Sequence, residues 1–184
     1  MSSFIVKDRY QKTLVKLKKF RDLLEGNREK LCQVSSSCAP TPLKYHKEDL
    51  SFVINYINSL DKEPPTTKYL YRSKGLILIG LSANEPLVVG IIPVLSALLA
   101  QNKLRIRASS KNTEIQEEII ELLYKSGFTK EDVSLTYFGK DELQENIIKY
   151  DYVFWFGSHK TCKAIASKCL EKDIDCDVES EGND

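Results

Sequence analysis

Leu76-Ile77-Leu78-Ile79-Gly80-Leu81 runs without a polar side chain and stops at Ser82-Ala83-Asn84-Glu85-Pro86. An unbroken apolar run of this length, closed by turn residues, reads as a strand covered on both faces, the pattern of a parallel sheet. Pro86 suits a first helical position, and Leu87 to Gln101 follows as a helix apolar nearly all round, hence buried. The alternation then repeats. Leu104 to Ala108 reads as a second strand. Asn112 or Thr113 caps the next helix, with Thr113 and Gln116 at capping-box spacing and Gly127 at a left-handed C-terminus. Val133, Leu135 and Tyr137 alternate as a third strand, Asp141 to Lys149 is a short helix, and Tyr152 to Phe156 is a fourth strand. Ser158 caps a helix that ends near Glu171, and Ile174 to Val178 is a weak fifth strand, beyond which the chain frays. Parallel strands need crossover helices, and those crossovers are right-handed. The fold class is therefore α/β, a three-layer, doubly wound, mostly parallel sheet of Rossmann-like type.

Working back toward the N-terminus, Leu14, Leu17, Phe20, Leu23 and Leu24 recur at helical spacing and predict one helix over residues 7–32. Lys16, Lys18, Lys19 and Arg21 lie opposite, interleaved with Asp22, Glu25 and Glu29, and read as a solvated face. Ser35 to Pro42 reads as loop, and residues 47–60 as a second helix with Leu50, Val53, Ile54 and Ile57 on one stripe. Pro64 and Pro65 end it and open a linker. The expected organisation is a helical segment over 1–66, an α/β nucleotide-binding domain over 67–178 and an acidic tail over 179–184.

Composition excludes several classes. Hydrophobic residues make up 42% and charged residues 29% of the 184, so the chain is neither disordered nor fibrous. Lys+Arg 27 against Asp+Glu 26 leaves +1, too little to draw the protein to nucleic acid. The apolar stretch from Leu76 to Ala100 is cut at Ser82 to Pro86, so no segment predicts a membrane span, and no secretory leader is read at the start. Five cysteines without a CxxC pair, and two histidines, predict no disulfide framework and no metal site. Cys162, Cys169 and Cys176 read as small buried thiols. The expected location is the cytoplasm.

Ligands of such sheets bind beyond the carboxyl ends of the strands. Those ends are Ser82-Ala83-Asn84-Glu85, Ser109-Ser110-Lys111, Gly139-Lys140 and Gly157-Ser158-His159. Each is small and polar, and each precedes a predicted helix whose N–H groups suit phosphate. Any strand-to-helix loop favours glycine and a capping side chain, so the set of four carries more weight than its members. There is no GxGxxG after the first strand and no GxxxxGK[ST], which disfavours ordinary Rossmann dehydrogenases and P-loop nucleotidases. His159, the one histidine among these loops, reads as a surface residue.

The ordered set resembles the coenzyme-binding portion of the aldehyde dehydrogenase superfamily, and more closely the LuxC-type fatty acyl-CoA reductases. The motifs are the strand Leu76 to Leu81 with Asn84-Glu85-Pro86 and its apolar helix, then Arg107-Ala108-Ser109-Ser110-Lys111, then Phe154-Trp155-Phe156-Gly157-Ser158. The match runs from about Arg72 to about Ile165. The resemblance implies NADPH or NADH as cofactor, bound without a glycine fingerprint. It implies Arg107 at the adenosine ribose and its phosphate, beside Ser109 and Ser110. Gly157 and Ser158 would line the pyrophosphate, and Ser82 and Gly139 from the neighbouring loops complete the cofactor set. Asn84 would direct its side-chain N–H₂ at the oxyanion of a thiohemiacetal, where one preorganised donor is worth ~3 kcal/mol of barrier.

The family's catalytic cysteine lies in a second domain, well downstream of Gly-Ser. Only residues 159–184 follow Ser158, and none of Cys162, Cys169 and Cys176 falls at a matching position. The expectation is a coenzyme domain inactive alone, its nucleophile carried elsewhere, on a separate chain if the enzyme is split; an oligomeric assembly is left open. The competing expectation is a non-catalytic α/β module that binds a protein partner or senses a nucleotide. A small phosphate-handling enzyme is weaker, because no acid, base and nucleophile are arranged together.

Overall fold

The computed structural model describes residues 2–39, 41–60, 73–139 and 142–180. Three helices come first: α1 (Ser2–Gly26), α2 (Arg28–Cys38) and α3 (Leu43–Ser59). Then follow β1 (Leu76–Gly80), α4 (Val88–Leu99), β2 (Lys103–Arg107), α5 (Thr113–Ser126), β3 (Val133–Leu135), α6 (Leu143–Ile147), β4 (Tyr152–Gly157), α7 (His159–Glu171) and β5 (Asp175–Ser180). The strands form one parallel sheet in the order β3-β2-β1-β4-β5, with the apolar run Leu76–Gly80 at its centre.

The pleat sorts side chains to two cores. Ile77 and Ile79 of β1, Leu104 and Ile106 of β2 and Val133 of β3 join a cluster with residues of α1 to α5, among them Leu17, Phe20, Leu50, Ile91 and Ile119. On the other face Leu78, Val153 and Trp155 pack against Leu143 and Ile147 of α6 and Cys162, Ile165 and Cys169 of α7. β2 shows the division within one strand. Leu104 and Ile106 are fully buried, while Arg105 and Arg107 alternate with them toward the thinner, α6 side.

The segment expected as one helix over 7–32 is two helices, divided at Asn27. Gly26 weakens the helix there, and the Asn27 side chain donates to the Leu23 carbonyl (2.7 Å), competing with the regular ladder. Ser35 to Cys38, expected as loop, is the end of α2. The reason is a long-range contact. Ser35 Oγ meets His46 Nδ1 at 2.8 Å, and Thr41 Oγ1 meets His46 Nε2 at 2.7 Å, so a buried histidine of α3 holds the end of α2 with one ring nitrogen and the connection between the helices with the other. Pro64 and Pro65 lie outside the described residues. β3 stops at Leu135, short of the expected Tyr137, which is 67% exposed and donates to Glu117 (2.9 Å). β5 continues to Ser180, past Val178.

Local signals explain several boundaries. Gly127 ends α5 at φ 109, a left-handed conformation that costs glycine nothing. Ser158 caps α7, accepting from the Thr161 amide. Buried Asn102 closes the turn before β2: its Oδ1 accepts from the Lys74 and Gly75 amides (2.7 and 3.1 Å), and its Nδ2 donates to the Ala97 carbonyl (3.0 Å).

Candidate functional site

The carboxyl ends of β1, β2 and β4 meet at one rim. Gly80 is in register with Arg107 on one side and Trp155 on the other, and the Leu81 amide donates to the Arg107 carbonyl (3.0 Å). Between these ends lies a cavity of about 150 Å³. Its wall is the turn after β1 (Leu81, Ser82, Ala83), the end of β2 (Arg107, Ser109), the end of β4 (Trp155, Phe156, Gly157), Leu143 of α6 and Thr161 of α7.

Glycine shapes the floor. A Cβ on Gly80 would fall inside the six-membered ring edge of Trp155, so the indole lies directly across the strand. On the indole sits Arg107, its Cζ 5.6 Å from the Trp155 ring centroid and 5.8 Å from that of Phe138. Both contacts are cation–π in geometry. Burial pushes the Arg107 guanidinium down from its ordinary value. Among the described residues its buried Nε has no hydrogen-bond partner and no carboxylate pairs with it. A half-buried cation with no counter-ion among the described residues, at the wall of a cavity, can accept an anion as its partner.

The structure brings Ser82, Arg107, Ser109 and Gly157 together on this wall. The other expected residues stand nearby. Ser158 is one step beyond Gly157, with its hydroxyl engaged by Thr161 (Oγ–Oγ1 3.0 Å). Ser110 is exposed behind Ser109. Gly139 is exposed on the loop after β3, its amide donating to Glu142 (2.7 Å). Asn84 is exposed at the tip of the turn after β1. His159 is exposed.

Sequence reasoning missed Leu143, Thr161 and the function of Trp155 as the support of Arg107. Thr161 was findable, since it sits one helical turn after the cap. Asn112 and Gln116 were assigned to a helix cap, but the Asn112 side chain makes no capping bond. Instead Asn112 Nδ2 donates to the Ser82 carbonyl (2.8 Å) and Gln116 Nε2 to the Pro86 carbonyl (2.9 Å).

None of the five cysteines lines the cavity. Cys162 is buried, its thiol 3.5 Å from the Gly157 and Glu179 carbonyls. Cys169 is held up to about 12 by burial, reinforced by Cys176. A thiol so protonated is no nucleophile. Among the described residues there is no group of three or more His, Cys, Asp or Glu placed to hold a metal ion, and no helix long and apolar enough to cross a membrane.

Comparison with known proteins adds the following. Residues 8–177 match the family described as acyl-CoA reductase (LuxC). No curated protein matches in sequence. Among solved structures, succinic semialdehyde dehydrogenase from Streptococcus pyogenes, in complex with NADP+, is similar with a TM-score of 0.82 and 16% identity over 100% of this chain and 46% of that one. A double mutant of betaine aldehyde dehydrogenase from Staphylococcus aureus, in complex with NAD+, is similar at 0.80 and 17% identity, covering 94% and 38%. A 3,6-anhydro-L-galactose dehydrogenase is similar at 0.82 and 15% identity, covering 98% and 42%. The chain thus spans less than half the length of each of these three proteins, and the likeness establishes the fold: an α/β sheet of the aldehyde dehydrogenase type.

Proposed function

Because the chain belongs to the acyl-CoA reductase (LuxC) family, we propose that it is the nicotinamide-nucleotide-binding part of an oxidoreductase that reduces a fatty acyl thioester to the aldehyde. The observation that carries this reading is Arg107, half-buried on Trp155 with its Nε unpartnered, at the mouth shared by β1, β2 and β4.

The residues present fit a nucleotide. Its phosphate would take Arg107 as counter-ion, with the Ser109 and Ser110 hydroxyls beside it. Gly157 and Ser158, at the start of α7, would face the pyrophosphate, where small side chains permit approach to the backbone. Ser82 lies on the same wall, and Gly139, on the exposed loop after β3, would approach the nucleotide from outside it. The bound dinucleotide supplies the hydride. Asn84, at the tip of the turn after β1, would direct its side-chain N–H₂ at the oxyanion that forms at the thioester carbonyl. The attacking cysteine comes from protein beyond these 184 residues, in the same polypeptide or in a separate chain. NADPH or NADH fits this account, and the setting is fatty acid metabolism in the cytoplasm.

One observation favours a second reading, a non-catalytic module that senses a nucleotide or binds a protein partner: no cysteine stands on the cavity wall. Both readings require nucleotide binding or its absence to be measured first. Trp155 is the single tryptophan of the chain, so its fluorescence reports on the site directly. Titration with NADPH and with NADH is expected to quench it saturably. Arg107→Ala, which removes one charge-assisted contact worth about 1.5–3 kcal/mol, is expected to raise Kd by roughly tenfold to a hundredfold. A flat titration up to millimolar nucleotide would refute the coenzyme reading and leave a protein partner as the ligand.

A further inference from the structure

The turn that carries Asn84 is anchored at both ends by side chains of another element. Asn112, the N-cap of α5, donates to the carbonyl of Ser82 (2.8 Å), and Gln116, one turn into α5, donates to the carbonyl of Pro86 (2.9 Å). The amides are 0% and 1% exposed, and their own oxygens, Asn112 Oδ1 and Gln116 Oε1, have no partner among the described residues. A buried amide with half its capacity unmet is costly for folding, and an apolar side chain of the same size would relieve that cost. The fold is built around the amides nonetheless. Gly90 of α4 faces Gln116, and a Cβ there would overlap Gln116 Nε2 and lie 3.3 Å from Cδ. The space left by the glycine is the space the amide occupies.

We propose that Asn112 and Gln116 are positioning residues: they clamp residues 82–86 from behind, and so fix the wall formed by Ser82 and Ala83 and the projection of Asn84. The inference rests on the nucleotide reading for its functional consequence, but the clamp itself is a property of the ligand-free chain. It is distinct from a stability role, because the two donors satisfy backbone carbonyls of one turn and leave their own acceptors unserved.

The test is Gln116→Met, which keeps length and apolar volume and removes the donor. The buried amide oxygen disappears as the Pro86 carbonyl loses its partner, so the melting temperature is expected to stay within a few degrees of the parent. Two readouts follow. In amide NMR spectra of the ligand-free chain, resonances of residues 82–85 and of Leu87 are expected to shift or broaden, while those of β4 and the Trp155 indole stay in place. In NADPH titrations, Kd is expected to rise about tenfold. Gly90→Ala is the second variant. Its added methyl pushes the Gln116 amide aside while leaving the Gln116 side chain itself intact, and it improves helix propensity, so it carries the test if the methionine variant does not fold. Unchanged loop resonances in a folded variant overturn the proposal. So does a loss of affinity that only tracks a collapse in melting temperature. If the parent chain binds no nucleotide, the functional reading fails by itself and the ligand-free spectra still decide whether the clamp exists.

Discussion

Replacing Gly80 by alanine tests the geometry of the site at its most constrained point. The added Cβ would lie 2.5 Å from Trp155 Cζ3 and nearer still to Cε3 and Cδ2. These are atoms of a rigid ring, not the free end of a flexible chain, so the indole itself must move. Trp155 is 3% exposed, and it borders the 150 Å³ cavity that Arg107 also lines. Overpacking of this kind costs about 1–3 kcal/mol, and loss of the Arg107 stack adds about 0.5–1 kcal/mol. Alanine offsets about 0.5–1 kcal/mol through a less flexible unfolded chain. The net is about 1–3 kcal/mol, which for a chain of this size lowers the melting temperature by roughly 3–10 °C. Circular dichroism measures that fall, and the emission of the single tryptophan is expected to shift as the indole is driven into the cavity. Trp155→Phe in the same background should recover part of the loss, because neighbouring residues couple. A melting temperature within one degree of the parent, with unchanged emission, would refute the placement of the ring over the strand and the support it gives Arg107.

Asn102→Ala removes three contacts to the backbone around Lys74, Gly75 and Ala97. It is expected to cost about 2–4 kcal/mol, seen as a lower urea midpoint with an unchanged slope. Cys169 predicts alkaline behaviour. Its folded value, about 12, lies above the ordinary thiol range, so its contribution is complete below that range and is lost as pH rises from about 9 toward 12. Stability should fall there by up to about 1.4 kcal/mol per pH unit for this one proton, and Cys169→Ala should fall less steeply in urea titrations at pH 8, 9 and 10.

The parallel sheet was legible because its signals are local. The unbroken run from Leu76 needs no partner to be read as a covered strand, and Pro86, Gly127 and Ser158 mark helix ends through backbone chemistry of their own. The rim was legible too, since strand order and loop composition place Ser82, Arg107 and Gly157 on one side. What escaped depends on contacts distant in sequence. Ser35 is helical because of His46, which a stretch rich in serine and proline does not disclose. Gln116 has the spacing of a capping box, yet its amide is claimed by Pro86, 30 residues earlier. Gly80 looks like a weak spot in a strand until the indole that crosses it is known.

Return to β2, where Leu104 and Ile106 face the thick core and Arg105 and Arg107 the thin one. A strand that slid by one position against β1 would drive two guanidinium groups into hydrocarbon and turn two aliphatic side chains toward the cleft. The Arg107 charge proposed to meet a phosphate therefore also proofreads the assembly of the sheet.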